Sequence, residues 1–270
     1  MSTTEYRADI RDIAFVLFER AHVRIDVVYQ VLGLRLRAIA DLLALLALTA
    51  LFATPVEHPD RIQLYSANTP NGVKATIALE ELGLPYELHK VDIMKGEQFD
   101  PGFVAIQPNS KIPCIVDPDG PDGEPLAIME SGAILHYLAR KTGQLMPTDP
   151  RGESEVLQWL FFQIGSVGPM FGQFGHFYKF ARGKTDAYGE NRYAKEVERL
   201  LAVLESRLDG RDWVCDDYSV ADIALAPWIG GLAFYEAHQR VGYARFARVQ
   251  AWHERFLERP AVIRGRDVVA

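Results

Sequence analysis

The sequence predicts an α/β unit followed by an all-helical unit, with a further helical segment ahead of both. Between Ile62 and Thr142, short apolar runs alternate with amphipathic stretches in the order β-α-β-α-β-β-α. From Glu153 onwards the pattern is helical throughout. These patterns divide the chain into three parts: a helical, partly hydrophobic extension and linker (1–60), an α/β domain with a four-stranded mixed sheet (61–145) and an all-helical domain (146–270).

Composition restricts the classes of function that need to be considered. A chain of 270 residues with 49% hydrophobic and 24% charged residues has the make-up of a globular protein with room for two domains. The net charge of -7 argues against nucleic-acid binding. Cys114 and Cys215 form no CxxC pair, so we expect a reducing compartment, the cytoplasm, and no disulfide framework. The histidines form no HExxH pair, so no metal site is expected.

The first sixty residues read differently from the rest. Tyr6–Leu36 mixes apolar and charged residues as amphipathic helices do, and Leu42–Ala53 is an apolar run shorter than the ~20 residues that cross a bilayer. Widening the run to Ala38–Val56 reaches that length but includes Asp41. Three interpretations stay open: a hydrophobic helix docked on the main body, a weak membrane anchor, or a segment upstream of the true translation start. We favour a non-catalytic helical extension over membrane contact.

The stretch Ile62–Gly83 begins the α/β domain. A short apolar strand, Ile62–Tyr65, leads into a polar turn, and apolar residues at helical spacing follow until Gly83, a helix-stop residue. A strand, a tight turn and a helix N-terminus bring backbone N–H groups and small polar side chains to one point, which suits a thiolate or a carboxylate. Asn, Pro and Gly are also common turn residues, so the stretch by itself fits an ordinary turn equally well.

Three further strands are predicted, at Tyr86–Val91, Ile115–Val116 and Pro125–Met129, with a helical turn after Asp100-Pro101. Pro113 lies at the entrance of the third strand, where proline is tolerated. A cis Ile112–Pro113 bond there would free the preceding backbone to pair with an extended peptide, although trans is the commoner form.

The last helix of the α/β domain begins at Glu130-Ser131-Gly132 and continues over residues 133–142. Ser131 is predicted as its N-cap, with free N–H groups that would stabilise a carboxylate ligand. The alternative is that Ser131 only caps the helix and Glu130 is only an exposed side chain.

The second domain is predicted to contain helices at Glu153–Gln163, through Tyr193–Leu208, at Ser219–Glu236 and finally at Trp252–Pro260. The segment 159–180 is rich in aromatic residues, and packing between helices and across a dimer interface is favoured over a pocket for an apolar co-substrate. Ser219-Val220-Ala221-Asp222 is a capping box, so Asp222 is predicted to act in folding rather than in catalysis.

Three motifs in this order resemble the thioredoxin-like domain of glutathione transferases: YSANTPNG from Tyr65, NSKIPC from Asn109 and ESGAILHY from Glu130. The resemblance runs from about Ile62 to Pro260. The TPNG turn, the KGEQF segment and Gln158–Gly172 look closest to bacterial nu-class members, which are glutathione transferases with disulfide-bond reductase activity. The resemblance implies glutathione as co-substrate, a small disulfide or an electrophile as partner, and a homodimer.

The resemblance also implies where the sulfur of glutathione sits. The Thr and Asn of the nu-class turn hold that position, and they match Thr69 and Asn71. A hydroxyl, an amide and a helix N-terminus favour the thiolate, which is the nucleophile. Other classes use Tyr or Ser near this strand end, so Tyr65 and Ser66 are rivals; Tyr65 is expected to be packed, and Ser66 is the lesser rival.

The other predicted contacts cover the rest of the peptide. Glu130 would pair with the γ-glutamyl ammonium and Ser131 with its carboxylate, while the backbone of Ile112 would bind the cysteinyl unit. Gln98 and Lys111 would reach the glycyl end. Arg192 matches a nu-class arginine that helps to bind glutathione; its alternative is an ordinary helix-surface arginine.

Cys114 departs from the nu-class pattern, and an inert core cysteine is the favoured interpretation. Without a CxxC pair, any disulfide reduction must use glutathione thiols. The leading prediction is therefore an enzyme that reduces small disulfides through bound glutathione, with weak conjugating activity. Conjugation of electrophiles as the main reaction, and a non-enzymatic glutathione-binding or regulatory role, are the alternatives.

Overall fold

A mixed sheet of four strands opens the described part of the chain, which comprises residues 56–184 and 186–270 of this computed structural model. The strands are β1 (Ile62–Ser66), β2 (Tyr86–Lys90), β3 (Cys114–Asp117) and β4 (Leu126–Met129), in the spatial order β2-β1-β3-β4. β1 pairs with β2 in parallel and with β3 antiparallel, and β4 is antiparallel to β3. The predicted sheet is confirmed. Of the extension and linker predicted for residues 1–60, residues 1–55 lie outside the described residues.

Helices cover the sheet and then form the rest of the described chain. The α/β part contains α1 (Gly72–Leu82), α2 (Pro101–Ile106) and α3 (Ser131–Thr142). The helical part contains α4 (Pro150–Phe162), α5 (Gly168–Gly175), α6 (Ala187–Arg207), α7 (Val220–Phe234), α8 (Ala247–Leu257) and α9 (Pro260–Asp267). A π-helical turn, Gln163–Val167, joins α4 to α5, and a second one follows α5 at His176–Phe180. No helix in residues 56–184 and 186–270 has both the length and the apolarity to cross a bilayer.

Several helix ends carry residues that are typical of helix termini. Gly83 ends α1 in the left-handed conformation at φ 64°. Asp149 accepts hydrogen bonds from the N–H groups of Arg151 and Gly152, and Pro150 takes the first helical position of α4. The prediction of a final helix at Trp252–Pro260 was wrong, because Pro260 suits a first helical position and begins a separate helix, α9.

The predicted capping box at the start of α7 is confirmed. Ser219 and Asp222 exchange side-chain and backbone hydrogen bonds there. The buried Asp222 carboxylate also accepts from the Trp252 indole at 2.8 Å and from the Val214 N–H at 2.9 Å. This carboxylate therefore ties α7 to α8 and to the loop before α7, which is a folding role.

α1 lies at the junction of the two parts of the molecule and is buried on all sides from Gly72 to Leu79. The sheet and α3 cover it from the α/β part, and α7 and α9 cover it from the helical part. Arg259 binds Glu81 at the end of α1 through two hydrogen bonds of 2.7 and 2.9 Å. A Cβ atom at Gly265 of α9 would lie 2.8 Å from the Ile77 Cα, so glycine is what lets α9 approach α1.

Replacing Gly265 by alanine should therefore destabilise the fold. The new methyl group would push against backbone rather than against a flexible side chain, at a cost of about 1–3 kcal/mol. Urea unfolding followed by circular dichroism measures this loss. Gly165→Ala is the matched control, since a Cβ there meets no other described atom within 4 Å. Equal stability of the two variants would contradict the packing argument.

Candidate active site

The turn between β1 and α1 closes tightly because of one glycine. A Cβ at Gly72 would lie 2.0 Å from the Ala67 carbonyl oxygen and 2.7 Å from the Ser66 Oγ. Glycine at this position lets the chain fold back on β1 before α1 begins. The N-terminus of α1, with its partial positive charge, thus lies directly after the end of a buried strand.

Thr69 and Asn71 stand at this N-terminus, and both are half-buried. The Thr69 Oγ1 accepts the Gly72 N–H at 3.0 Å, and the Asn71 Oδ1 accepts the Trp228 indole N–H at 3.0 Å. In both side chains the acceptor oxygen is engaged, whereas the donor groups have no partner among the described residues. The turn therefore offers a hydroxyl proton and amide protons to a ligand, which suits an anionic sulfur.

Trp228 determines how the Asn71 amide is oriented. An indole N–H only donates, so the atom that faces it must be the amide oxygen, and the NH₂ group points elsewhere. The ring of Trp228 rests on a face of α5 that carries glycine at two positions one turn apart. Cβ atoms at Gly168 and Gly172 would each lie 3.5 Å from that ring. A residue of the helical part thus orients a side chain of the α/β part.

The two rivals at the strand end, Tyr65 and Ser66, are both buried. Tyr65 stacks on His89 with ring centroids 4.6 Å apart, and burial raises the pKa of its phenol. Ser66 is fully buried, and its hydroxyl has no hydrogen-bond partner among the described residues. Tyr65 is packed, as expected; Ser66 lies below the start of α1 rather than at the surface of the turn.

A second cluster lies at the start of α3. Glu130 is exposed and adopts φ 69° and ψ 120°, a backbone conformation that residues other than glycine rarely adopt. The prediction of Ser131 as N-cap was wrong: Glu130 occupies the cap position, without a side-chain capping bond, and Ser131 is the first helical residue. The reason is the backbone turn at Glu130, which begins the helix one residue earlier than the side-chain signal indicated.

The sequence interpretation missed a buried lysine beneath this cluster. Lys74 of α1 has no exposed surface, and its Nζ lies 3.3 Å from the Ser131 Oγ and 2.5 Å from the Gln163 Oε1. Burial lowers the pKa of Lys74 well below its usual value, and the charge of Glu130 opposes this. A lysine among apolar helix positions usually faces solvent, so sequence alone offers little signal until α1 is known to be covered on every side.

The peptide bond between Ile112 and Pro113 is cis. The N–H and C=O groups of Ile112 make no hydrogen bond with described residues. Lys111 is exposed and forms no ion pair in this part of the chain. Gln98, on a short helical turn at Glu97–Phe99, has a buried Oε1 atom without a described partner.

Arg192 lies in the helical part of the molecule, whereas the other predicted residues lie in the α/β part. It lies exposed on α6 and lines a cavity of about 650 Å³ together with Met170 and the side chains of α6 from Tyr188 to Arg199. None of the other predicted glutathione residues lines this cavity. Thr69 and Asn71 thus form one group and Glu130 and Ser131 a second, and Arg192 lines a cavity that includes neither group.

Neither cysteine is placed for chemistry. Cys114 is fully buried in β3, and burial raises the pKa of its thiol to about 12. Burial, with smaller effects of Asp222 and Glu155, raises the pKa of Cys215 to about 11. Thiolates are the reactive form, so both side chains are inert at neutral pH.

Comparisons with known proteins give the same family for both parts of the chain. The model of the glutathione S-transferase N-terminal domain matches residues 69–141, and that of the glutathione S-transferase C-terminal domain matches residues 187–255. The chain belongs to the glutathione S-transferase family.

Relatives of known name resemble most of the described chain. It is 48% identical over 202 residues to the disulfide-bond oxidoreductase YfcG of Escherichia coli, covering 74% of this chain and 92% of that protein. It is 41% identical over 222 residues to the disulfide-bond oxidoreductase YghU of the same organism, covering 78% and 75% of the two chains. A glutathione transferase from Burkholderia graminis, solved with two glutathione molecules per subunit, superposes with a TM-score of 0.79 at 53% identity, covering 82% and 92%.

The burial of both thiols makes a direct prediction for chemical labelling. In the native protein at pH 8, Ellman's reagent should release almost no thionitrobenzoate, because neither thiol is exposed or ionised. In denaturant, both of the 2 cysteines should react with the reagent. Cys114→Ala and Cys215→Ala should each remove one of them. Rapid labelling of Cys114 in the native protein would show that it reaches the site.

Proposed function

We propose that this protein is a glutathione-dependent enzyme that reduces small disulfides through the thiol of bound glutathione, with weak conjugating activity. The observation that carries the proposal is the pair of oriented donors at the N-terminus of α1, Thr69 and Asn71, whose acceptor atoms are already engaged. Such a pair stabilises a thiolate over a thiol. The kinship with two disulfide-bond oxidoreductases supports disulfide exchange as the reaction.

The proposed reaction needs two glutathione molecules and no protein thiol. The thiolate of the first attacks one sulfur of the substrate disulfide; the S–S bond breaks, and the departing sulfur takes a proton from solvent. A second glutathione thiolate then attacks the glutathione sulfur of the mixed disulfide and releases the second substrate thiol. Glutathione disulfide is the oxidised product. The two glutathione molecules per subunit in the Burkholderia graminis relative fit this stoichiometry.

The remaining predicted residues would hold the peptide. Glu130 would bind the γ-glutamyl ammonium, and Ser131 with the N–H groups of α3 would bind its carboxylate. The free backbone of Ile112 would pair with the cysteinyl unit as an added strand does. Gln98 and Lys111 would receive the glycyl end. Arg192 would add a contact from α6; the cavity that it lines includes none of the other predicted residues.

We also propose a nu-class homodimer. An apolar groove of about 420 Å³ lies between α3 and α4 beside Glu130, and Phe161 at its edge is 65% exposed. A second copy of the chain would cover this surface. The proposed activity suits the reducing cytoplasm, where glutathione is kept as the thiol and buried cysteines stay unpaired.

Asn71→Ala should lower kcat/KM for 2-hydroxyethyl disulfide by about 10–100-fold, because the thiolate loses one donor. The assay couples glutathione disulfide formation to glutathione reductase. A second assay follows conjugation of 1-chloro-2,4-dinitrobenzene. Asn68→Ala, an exposed asparagine of the same turn, is the matched control and should retain the activity.

The outcomes of these assays separate the functions. Turnover of the disulfide that collapses in Asn71→Ala supports the proposal, whereas turnover of the aryl halide alone would make conjugation the main reaction. Glutathione binding without turnover in either assay would favour a binding role. Absence of glutathione binding would overturn the site.

Trp228→Phe tests the orientation of Asn71. Loss of the indole N–H frees the amide to rotate, so disulfide turnover should fall about 3–10-fold, as expected for one hydrogen bond. Because Trp228 acts through Asn71, the double variant should be no slower than Asn71→Ala alone. Trp213→Phe, a tryptophan packed on Tyr218, serves as control.

The pKa of the thiol of bound glutathione is a second test of the role of Trp228. It is followed by thiolate absorbance across a pH titration, and it should rise in Trp228→Phe and remain unchanged in Trp213→Phe. If the losses of activity are additive in the double variant and the thiol pKa is unchanged, Trp228 contributes packing only.

A further inference from the structure

Lys74 is a buried amine that the proposed reaction does not use. It belongs to the first turn of α1 and has no exposed surface. Its Nζ has two hydrogen-bond acceptors among the described residues, the Ser131 Oγ at 3.3 Å and the Gln163 Oε1 at 2.5 Å. The amine therefore lies directly behind the residue that is proposed to bind the γ-glutamyl carboxylate.

The number of acceptors around Lys74 matches the neutral amine. A neutral amine has two N–H donors, whereas an ammonium has three. The two acceptors pair with both donors of the neutral form, whereas the ammonium would keep one N–H without a described partner. A buried charge without full hydrogen bonding is costly, so the unliganded site favours the neutral amine. The lowered pKa of Lys74 agrees with this count.

The elements packed against Lys74 supply little charge to balance an ammonium. Glu130 is the charged group that favours it. Most charged side chains on the neighbouring helices pair elsewhere: Arg259 and Arg264 with Glu81 and Glu80, Asp222 with Trp252 and Ser219, Lys141 with Asp117, and Arg140 with Glu153. His136 of α3 lies beside Glu153, and Arg266 and Asp267 of α9 are exposed. The described side chains of β1 and of the turn Gln163–Val167 are uncharged.

A carboxylate bound at Ser131 would shift the equilibrium of Lys74 from the neutral amine towards the ammonium. The Ser131 hydroxyl accepts from Lys74 and can donate its own proton to the ligand, so the carboxylate oxygen would lie within about 6 Å of the Nζ atom, one hydrogen bond of ~2.7 Å beyond Ser131. A negative charge at that distance in a buried site favours the ammonium. Water is excluded from Lys74, so the attraction is weakly screened.

We propose that Lys74 takes up one proton when a carboxylate binds at Ser131, so that the buried site gains the positive charge only together with its ligand. The proton comes from solvent, and no covalent bond changes. The ligand class is the α-amino-acid end of a γ-glutamyl peptide; this inference thus rests on the proposed function. Lys74 acts through Ser131 and is a positioning residue. Uncharged ligands of the same shape would gain nothing from it, which makes Lys74 a determinant of specificity for the carboxylate.

Calorimetry with S-methylglutathione tests the proposal, because this ligand has the carboxylates of glutathione but no thiol to release a proton. Titrations at pH 7.5 in phosphate and in Tris, whose ionisation enthalpies differ, give the number of protons taken up. Wild-type protein should take up close to one proton, and affinity should fall up to about tenfold per pH unit as the pH rises, because deprotonation opposes binding. Lys74→Met should bind with no net uptake and at least about tenfold more weakly.

Lys90→Met is the control for the variant. Lys90 is exposed at the end of β2 and donates to the Ala270 carbonyl, so its loss should leave proton uptake at the wild-type value. Binding of S-methylglutathione by wild-type protein without proton uptake would overturn the role of Lys74 and leave the glutathione site standing. Failure of the wild-type protein to bind S-methylglutathione would overturn the proposed function as well.

A second measurement needs no variant and covers the case in which Lys74→Met does not fold. In protein labelled with [ε-¹³C]lysine, one signal should stand at the position of a neutral amine at pH 7.5. It should move to the ammonium position when S-methylglutathione is added. A spectrum in which every lysine is already an ammonium in the free protein would overturn the proposal.

Discussion

The burial of α1 is the constraint on which the rest of the structure depends. Its first eight residues are shielded from water by the sheet, by α3 and by two helices of the helical part. A helix held in this way presents its N-terminus at a fixed point beside the end of β1. Its end is held by Arg259 on Glu81, and Gly265 allows α9 to pack closely against its middle. The site therefore rests on the packing of two parts of the chain and not on the turn alone.

The same packing prepares the polar groups of the site before any ligand arrives. The Thr69 oxygen is engaged by the backbone and the Asn71 oxygen by Trp228, so the donor groups of both residues point away from these contacts. Fixed donors cost no reorganisation when an anion binds, which is the basis of electrostatic stabilisation in enzymes. The surrounding fold also holds Glu130 in a rare backbone conformation. Such a conformation costs about 1–3 kcal/mol and persists only where the rest of the structure maintains it.

Local signals predicted the elements well where the chemistry of the helix end is local. Gly83 and the Ser219–Asp222 box act through neighbours within a few residues, and each lies where the sequence indicated. The helix predicted from Glu153 begins earlier, at Pro150, and Asp149 caps it. The prediction failed at Glu130 because the helix boundary there depends on the backbone conformation. It failed at Pro260 because a new helix begins there directly after the previous helix ends. The predicted contacts of glutathione with this chain remain predictions.

The sequence by itself determined the order of strands and helices in the α/β part, the turn that carries Thr69 and Asn71, and the family resemblance, because periodicity and short motifs are properties of neighbouring residues. Only the tertiary structure decided that Lys74 is buried behind Ser131 and that Trp228 orients Asn71. These contacts join residues 57 and 157 positions apart in the chain. Burial and pairing over such separations depend on how helices pack, and no local pattern encodes that packing.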